Sequence, residues 1–200
     1  MSAQPRRRLK KLNLEQMKLP VSTPPQQLSD LLSKIHERWV PFIAIAAFTG
    51  MRSAELHRLD WKDVWLKKGY IEVAAHKAKT ASRRLVPILP NLKAWLTSYM
   101  EKVGEHPCPR FSHDSTLMIE FGKATNKVGF ARVHNGFRHS YASYRLAQTQ
   151  NAAQVALEMG NSPRKLFENY REFVTPEEAK AWFSMMPTIR LELSNGKKAD

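Results

Sequence analysis

The chain has 200 residues, 42% apolar and 10% aromatic, which excludes a disordered polymer and suits one domain with a real core. A formal net charge of +14 is the footprint of a polyanion partner, with a merely charged or ribosome-associated basic protein as the plainer reading. A single cysteine, Cys108, excludes an internal disulfide and a cysteine-based metal cluster, and the longest apolar run, Val40 to Phe48, is too short to span a bilayer.

Residues 1–20 carry Arg6, Arg7, Arg8, Lys10 and Lys11 without helical apolar spacing. They read as a basic tail or linker: a solvated arm, a phosphate-tracking arm, or the stump of a connection to another domain. No apolar run follows this basic start, so the chain reads as intracellular and soluble. The folded region is expected over 21–186, with a polar tail from 187 to 200. It opens with Thr23-Pro24-Pro25-Gln26, where Thr23 and Gln26 have capping-box spacing. Leu28, Leu31, Leu32 and Ile35 follow at one-face helical spacing. A second helix, about Trp39 to Phe48, is apolar on every side and is expected at the centre of the core, ending at Gly50.

Arg52 follows at once and Glu55 lies three residues on. The inexpensive reading is a local ion pair in a short helix, Ser53 to Leu59. The other is that Glu55 braces a guanidinium that grips a phosphate. Strands are expected at Val64–Leu66, Tyr70–Val73 and about Arg83–Ile88, the first two joined through Lys67-Lys68-Gly69. Between the second and third lies A-H-K-A-K-T-A-S-R-R, a basic loop with Lys77, Lys79, Arg83 and Arg84. It reads either as an exposed loop kept soluble by charge or as a hairpin entering a groove and delivering one lysine as proton donor. Amphipathic helices are expected at Asn91–Val103 and Leu117–Val128, separated by a proline-containing loop.

The densest stretch begins at His134. From Asn135 to Ala147, Phe137, Tyr141 and Tyr144 share a helical face, and Arg138 sits near the helix start, where free N–H groups favour an anion. His134 and His139 lack zinc-ligand spacing. A small helix, Ala152–Met159, ends at Gly160, Ser162-Pro163 opens the next, and Tyr170 falls four residues after Leu166. That spacing alone fits a core tyrosine as well as a nucleophile. Thr175-Pro176-Glu177-Glu178 opens a last helix anchored by Ala181, Trp182 and Phe183.

The ordered set T-G-M-R-S-A-E-L, then K-T between strands, then N-G-F-R-H-S-Y-A-S, then M-G-N-S-P with a tyrosine nine residues after Asn161, resembles the catalytic domain of the tyrosine recombinases, or phage-type integrases. The likeness spans roughly Thr23 to Phe183. It implies an α+β fold, mainly α-helical, with a small three-stranded antiparallel sheet. It implies Arg52 and Arg138 as the phosphate-clamping pair, Glu55 as brace, Tyr170 as nucleophile and Lys79, the lysine followed by threonine, as hairpin proton donor. Lys77, Arg83 and Arg84 are then expected to contact DNA, with Tyr141 and Tyr144 next in line for the nucleophile. The family resemblance implies double-stranded DNA as partner, a tetrameric synapse on it, and strand exchange with neither metal nor ATP. Two positions depart from the family pattern. Asn135 stands where histidine is usual three residues before the second arginine, and Asn161 where histidine or tryptophan is usual after the glycine. His134 is one residue out of register. Asparagine can donate to a phosphate oxygen but carries no exchangeable charge, so acid–base help is in question while phosphate binding is not. The amino-terminal DNA-clamping domain common in the family has no counterpart, as expected of a fragment or a reduced member. A silent DNA-binding protein on the same fold is the competing reading.

Overall fold

The computed structural model describes residues 22–78, 83–100, 106–169 and 174–187. Its centre is the apolar helix. After α1 (Pro25–Lys34) and a 3-10 turn at Glu37–Trp39, α2 (Val40–Thr49) is buried along its whole length. A helix without a polar face must be covered on every side. Here α4 (Pro90–Thr97) and α6 (Gly136–Thr149) pack directly on it, and α9 (Pro176–Phe183) packs on α6. Trp182 of α9 reaches across to donate its indole N–H to Ala47 O at 3.1 Å, while its ring stacks on Tyr144 with centroids 4.7 Å apart.

Around this centre run α3 (Ser53–His57), a three-stranded sheet, α5 (Asp114–Lys127), α7 (Ala152–Met159) and α8 (Pro163–Asn169). The strands β1 (Val64–Trp65), β2 (Tyr70–Val73) and β3 (Arg84–Pro87) form an antiparallel meander in the order β1-β2-β3. Register pairs Ile71 with Val86 and Val73 with Arg84. Directly paired residues point to the same face of a sheet. Arg84 therefore shares the inward face with Val73 and Val86, while Leu85 between them is left exposed. This alternation aims a cation at the protein interior.

The expected α+β class and mainly helical content are observed, with differences at the edges. The capping box expected at Thr23 does not form. Pro24 occupies the cap, and Thr23 is buried, donating its amide to Ser140 Oγ at 2.7 Å and accepting from the Tyr144 hydroxyl at 3.1 Å. Tertiary bonds have displaced a local one. The second strand has the expected bounds, the first and third are shorter than expected, and α4 gives way to turns after Thr97. In α9 the capping box of Thr175 and Glu178 is present, but Ala179, not the exposed Ala181, joins Trp182 and Phe183 inside. The expected tails, 1–20 and 187–200, fall almost wholly outside the described residues. Among the described residues no helix is long and apolar enough to cross a membrane.

Gly50 closes α2 with φ of 61°, in the left-handed region, and a Cβ there would lie 2.6 Å from Cδ1 of Tyr141. The contact is with the root of the ring, which is itself buried, so neither partner can yield. Gly50→Ala is expected to lower stability by roughly 2–4 kcal/mol through combined strain and overpacking. Urea unfolding checks this, and an unchanged midpoint would count against the packing described.

Candidate active site

Three chain segments meet at one end of α2. The first is its own exit, Gly50 to Arg52; the second is the first turn of α6; the third is the exit of α7, Met159 to Asn161. Gly160, with φ of 64°, ends α7 as Gly50 ends α2. Helix ends leave carbonyl oxygens without intrahelical partners, and their partial negative charge favours cations. Arg138 sits between both ends. It is buried, and its Nη1 donates to Gly50 O and to Met159 O, the latter at 3.0 Å. Arg52, at the start of α3, donates from Nη2 to Gly160 O at 2.8 Å and to Asn161 Oδ1 at 2.9 Å. The two arginines thus grip adjacent residues of the same turn.

Glu55 does what a brace must, and more. Its carboxylate, 1% exposed, accepts from Arg52 Nη1 at 3.2 Å and from the Arg52 amide at 3.0 Å. It also accepts a two-pronged pair from Arg84, Nη1 to Oε1 at 3.1 Å and Nη2 to Oε2 at 2.7 Å. The local ion pair read from the sequence is therefore present, and Arg84 shares the same carboxylate. One carboxylate against two guanidinium groups leaves a local excess of positive charge, suited to an anion. Burial pushes the Glu55 carboxyl up, but the hydrogen bonds and charge of Arg84, with Arg52 behind them, outweigh this and hold it below its ordinary 4.5.

Asn135 is exposed and caps α6 in the left-handed conformation, with φ of 54°. Asparagine tolerates that region better than most residues. Asn161 is half-buried, and with its Oδ1 accepting from Arg52, its NH₂ is the part able to donate elsewhere. Lys79 and Tyr170 lie outside the described residues. Beside Arg138 and Asn135, a pocket of about 220 Å³ opens between α2, α5 and α6, walled by Phe42, Phe121 and Phe137.

The basic loop differs from expectation. Lys77 does not face outward. It lies in a 3-10 turn, Ala75–Lys77, its ammonium held by Asp60 at 2.7 Å and Asp63 at 2.5 Å, with the side chain 12% exposed. Burial pushes its pKa down, but hydrogen bonds to both aspartates outweigh that and raise it above the ordinary lysine value. Arg84 is likewise turned inward and paired with Glu55. Neither is on the exposed face that a DNA-backbone contact needs. Arg83, paired with Glu72 at 2.6 Å, is exposed as expected. The two reserve tyrosines are also committed elsewhere. The Tyr141 hydroxyl donates to Glu158 at 2.6 Å, and burial beside that carboxylate raises its pKa well above the usual value. Tyr144 is buried against Trp182.

Sequence reasoning missed the support beneath the site. Glu158 of α7 accepts from Arg145 Nε at 3.0 Å and Nη2 at 2.9 Å, from Tyr141, and from Gln154 at 2.9 Å, tying α7 to α6. Its one visible signal is that it is the single charged residue of that helix. Arg84 was signalled by strand alternation, since Val86 two residues on must face inward.

Burial pushes the Glu158 carboxyl up, while hydrogen bonds from Arg145, Tyr141 and Gln154 overcome this and lower it below 4.5. A carboxyl with a depressed folded pKa stabilises the fold fully above its unfolded pKa and loses that contribution as pH falls through the folded value. The urea midpoint is therefore expected to fall as pH drops below about 4.5, the ordinary value for both Glu55 and Glu158. Glu158→Gln strands Arg145 inside, and at pH 7 is expected to cost about 3 kcal/mol and to flatten the acid limb. A variant as stable as the parent at pH 7 would remove the network from the account.

The family model described as the phage integrase family matches residues 22–162. Among solved structures, the chain is similar to the XerA recombinase, with TM-score 0.65 and 20% identity over 84% of this chain and 64% of that one. It is similar to the XerH site-specific recombinase bound to its difH substrate, with TM-score 0.60 and 22% identity over 78% and 51%. A lambda integrase tetramer bound to a Holliday junction gives TM-score 0.57 and 16% identity over 75% and 48%. The chain thus spans between about half and two thirds of the length of these structures. No curated protein matches the sequence.

Proposed function

The chain belongs to the phage integrase family, and from that membership we propose that it cuts and rejoins duplex DNA as the catalytic part, about 21–186, of a site-specific recombinase. The observation that carries this reading is the convergence of Arg52 and Arg138 on the Met159–Asn161 turn, with Arg52 and Arg84 sharing the one carboxylate of Glu55.

A tyrosine of ordinary pKa about 10 is ionised to about one part in a thousand at neutral pH, so the site must favour the charged form during attack. Tyr170 loses its phenolic proton to solvent and attacks the scissile phosphate, forming a 3′-phosphotyrosine ester as the bond to the 5′ oxygen breaks and Lys79 protonates that oxygen. Arg52 and Arg138 stabilise charge developing on the non-bridging oxygens. To do so they exchange backbone carbonyl partners for phosphate oxygens. The Asn161 NH₂, and Asn135 at the helix start, donate to the same phosphate but transfer no proton. The ester conserves the bond energy, so a 5′-OH from a second strand reverses the step without ATP. Exchange between two duplexes needs several copies together, as in the lambda integrase tetramer. Arg83 and the basic segment 1–20 supply non-specific backbone attraction.

A nicked suicide substrate, which traps the ester by losing the 5′ fragment, provides the test. The parent chain should form a covalent adduct and Tyr170→Phe none, with duplex affinity nearly unchanged. An adduct that survives Tyr170→Phe would overturn the nucleophile, and no adduct in the parent would favour a silent DNA-binding protein. Arg52→Lys and Arg138→Lys should both fail, because lysine lacks the planar fork.

Binding itself is expected to weaken steeply with salt, with a logarithmic slope of about −0.9 per phosphate contacted. Affinity that stays flat from low to physiological salt would remove nucleic acid as the partner. Histidine at Asn135 or Asn161 adds a group of the kind worth about 10²–10⁴-fold in general acid–base catalysis. A faster adduct in either variant is the expected direction where the imidazole fits.

A further inference from the structure

We propose that Arg84 is a positioning residue of the cutting site, holding Glu55 in a two-pronged pair so that Arg52 stays aimed at the Gly160–Asn161 turn. This deepens the proposed role in DNA cutting and rests on it.

Three observations carry the inference. Arg84 takes both carboxylate oxygens of Glu55, at 3.1 and 2.7 Å, which leaves Arg52 a single side-chain contact with that group, at 3.2 Å. The Nη2 of Arg52 is consequently free of the acid and turned to Gly160 O and Asn161 Oδ1. The Arg84 guanidinium also lies flat against the turn itself. A Cβ added to Gly160 would meet its Cζ at 3.0 Å, and Arg84 Nε points to Glu158 O at 3.4 Å. Finally, Arg84 is the first residue of β3, so the same guanidinium anchors the strand that leaves the basic loop. One half-buried side chain thereby ties α3, the sheet and the exit of α7 together.

The physical consequence of removing it is specific. Glu55, left with one cation, would draw Arg52 into the two-pronged pair that Arg84 now occupies, since that geometry is the strongest available to the two groups. The Arg52 fork would then turn from the phosphate position toward α3. The lost neutralisation matters as much as lost packing, and this separates positioning from simple structural support and from DNA contact.

On the nicked suicide substrate, Arg84→Ala is expected to slow adduct formation by about 10²-fold, the order lost when a reacting group is misplaced by an ångström. Adding Glu55→Gln to Arg84→Ala should raise the rate above that of Arg84→Ala alone, because the uncompensated carboxylate is gone. Duplex affinity and its salt slope should match the parent, whereas loss of a phosphate contact would reduce the slope by about one. A slope reduced by about one, an unchanged adduct rate, or a double variant no faster than Arg84→Ala would each overturn the proposal. Arg84→Lys, which keeps the charge but not the fork, carries the same comparison if the alanine variant does not fold, and is expected to be slowed as well. If the parent forms no adduct, the cutting reading fails on its own account. Positioning is then decided by amide hydrogen exchange at Gly160 and Asn161: faster exchange in Arg84→Lys than in Arg83→Lys supports it, and equal exchange overturns it.

Discussion

A carboxylate almost fully removed from water holds two guanidinium groups, one three residues away and one from β3. Burying Glu55 is costly unless its charge is matched and its lone pairs are filled. Arg84 and Arg52 do both, and the Arg52 amide completes the set. Because the three groups come from α3 and β3, the balance can be met only when the sheet is docked on the helices in this register. Local electrostatics and tertiary geometry are here a single condition.

The same economy is seen at the ends of α2 and α7. Helices that stop inside a protein leave carbonyl oxygens to be satisfied, and the usual remedy is a local turn. Here arginines supply part of it, Arg138 at Gly50 and Met159, Arg52 at Gly160. The cations stand at the negative ends of helix dipoles, where they are stabilised before any anion arrives. Beneath them the Glu158–Arg145 pair, with Tyr141, locks α7 to α6, so the turn that receives Arg52 sits on a braced helix.

Much of this arrangement was legible in the sequence where the constraint is local. The wholly apolar α2, the glycine stops at Gly50 and Gly160, the Thr175–Glu178 capping box and the inward stripe of Leu28, Leu31, Leu32 and Ile35 all follow from spacing and backbone geometry. Motif order placed Arg52, Arg138, Asn135 and Asn161 close together, and the structure does bring Arg52, Arg138 and Asn161 to one turn. What stayed hidden depends on side chains that choose a partner far away. Lys77 looks like its solvent-facing neighbours until Asp60 and Asp63 are folded over it. Thr23 has a helix-cap pattern but is taken by Ser140 and Tyr144 from the other end of the chain. Charge in a loop does not by itself say whether the loop faces out.

The separation in sequence of these contacts has a consequence for the order of folding. Arg52 meets Gly160 across 108 residues, Arg138 meets Gly50 across 88, Thr23 meets Ser140 across 117, and Trp182 meets Ala47 across 135. Contacts that close such long loops form late and slowly compared with the helices they join. During synthesis, a chain that ends short of Asn161 already holds both arginines and the carboxylate, yet it lacks the turn that gathers them. The arginine cluster is therefore a property of the finished chain, and a nascent or partly unfolded one carries the same positive charge without the geometry that gathers it.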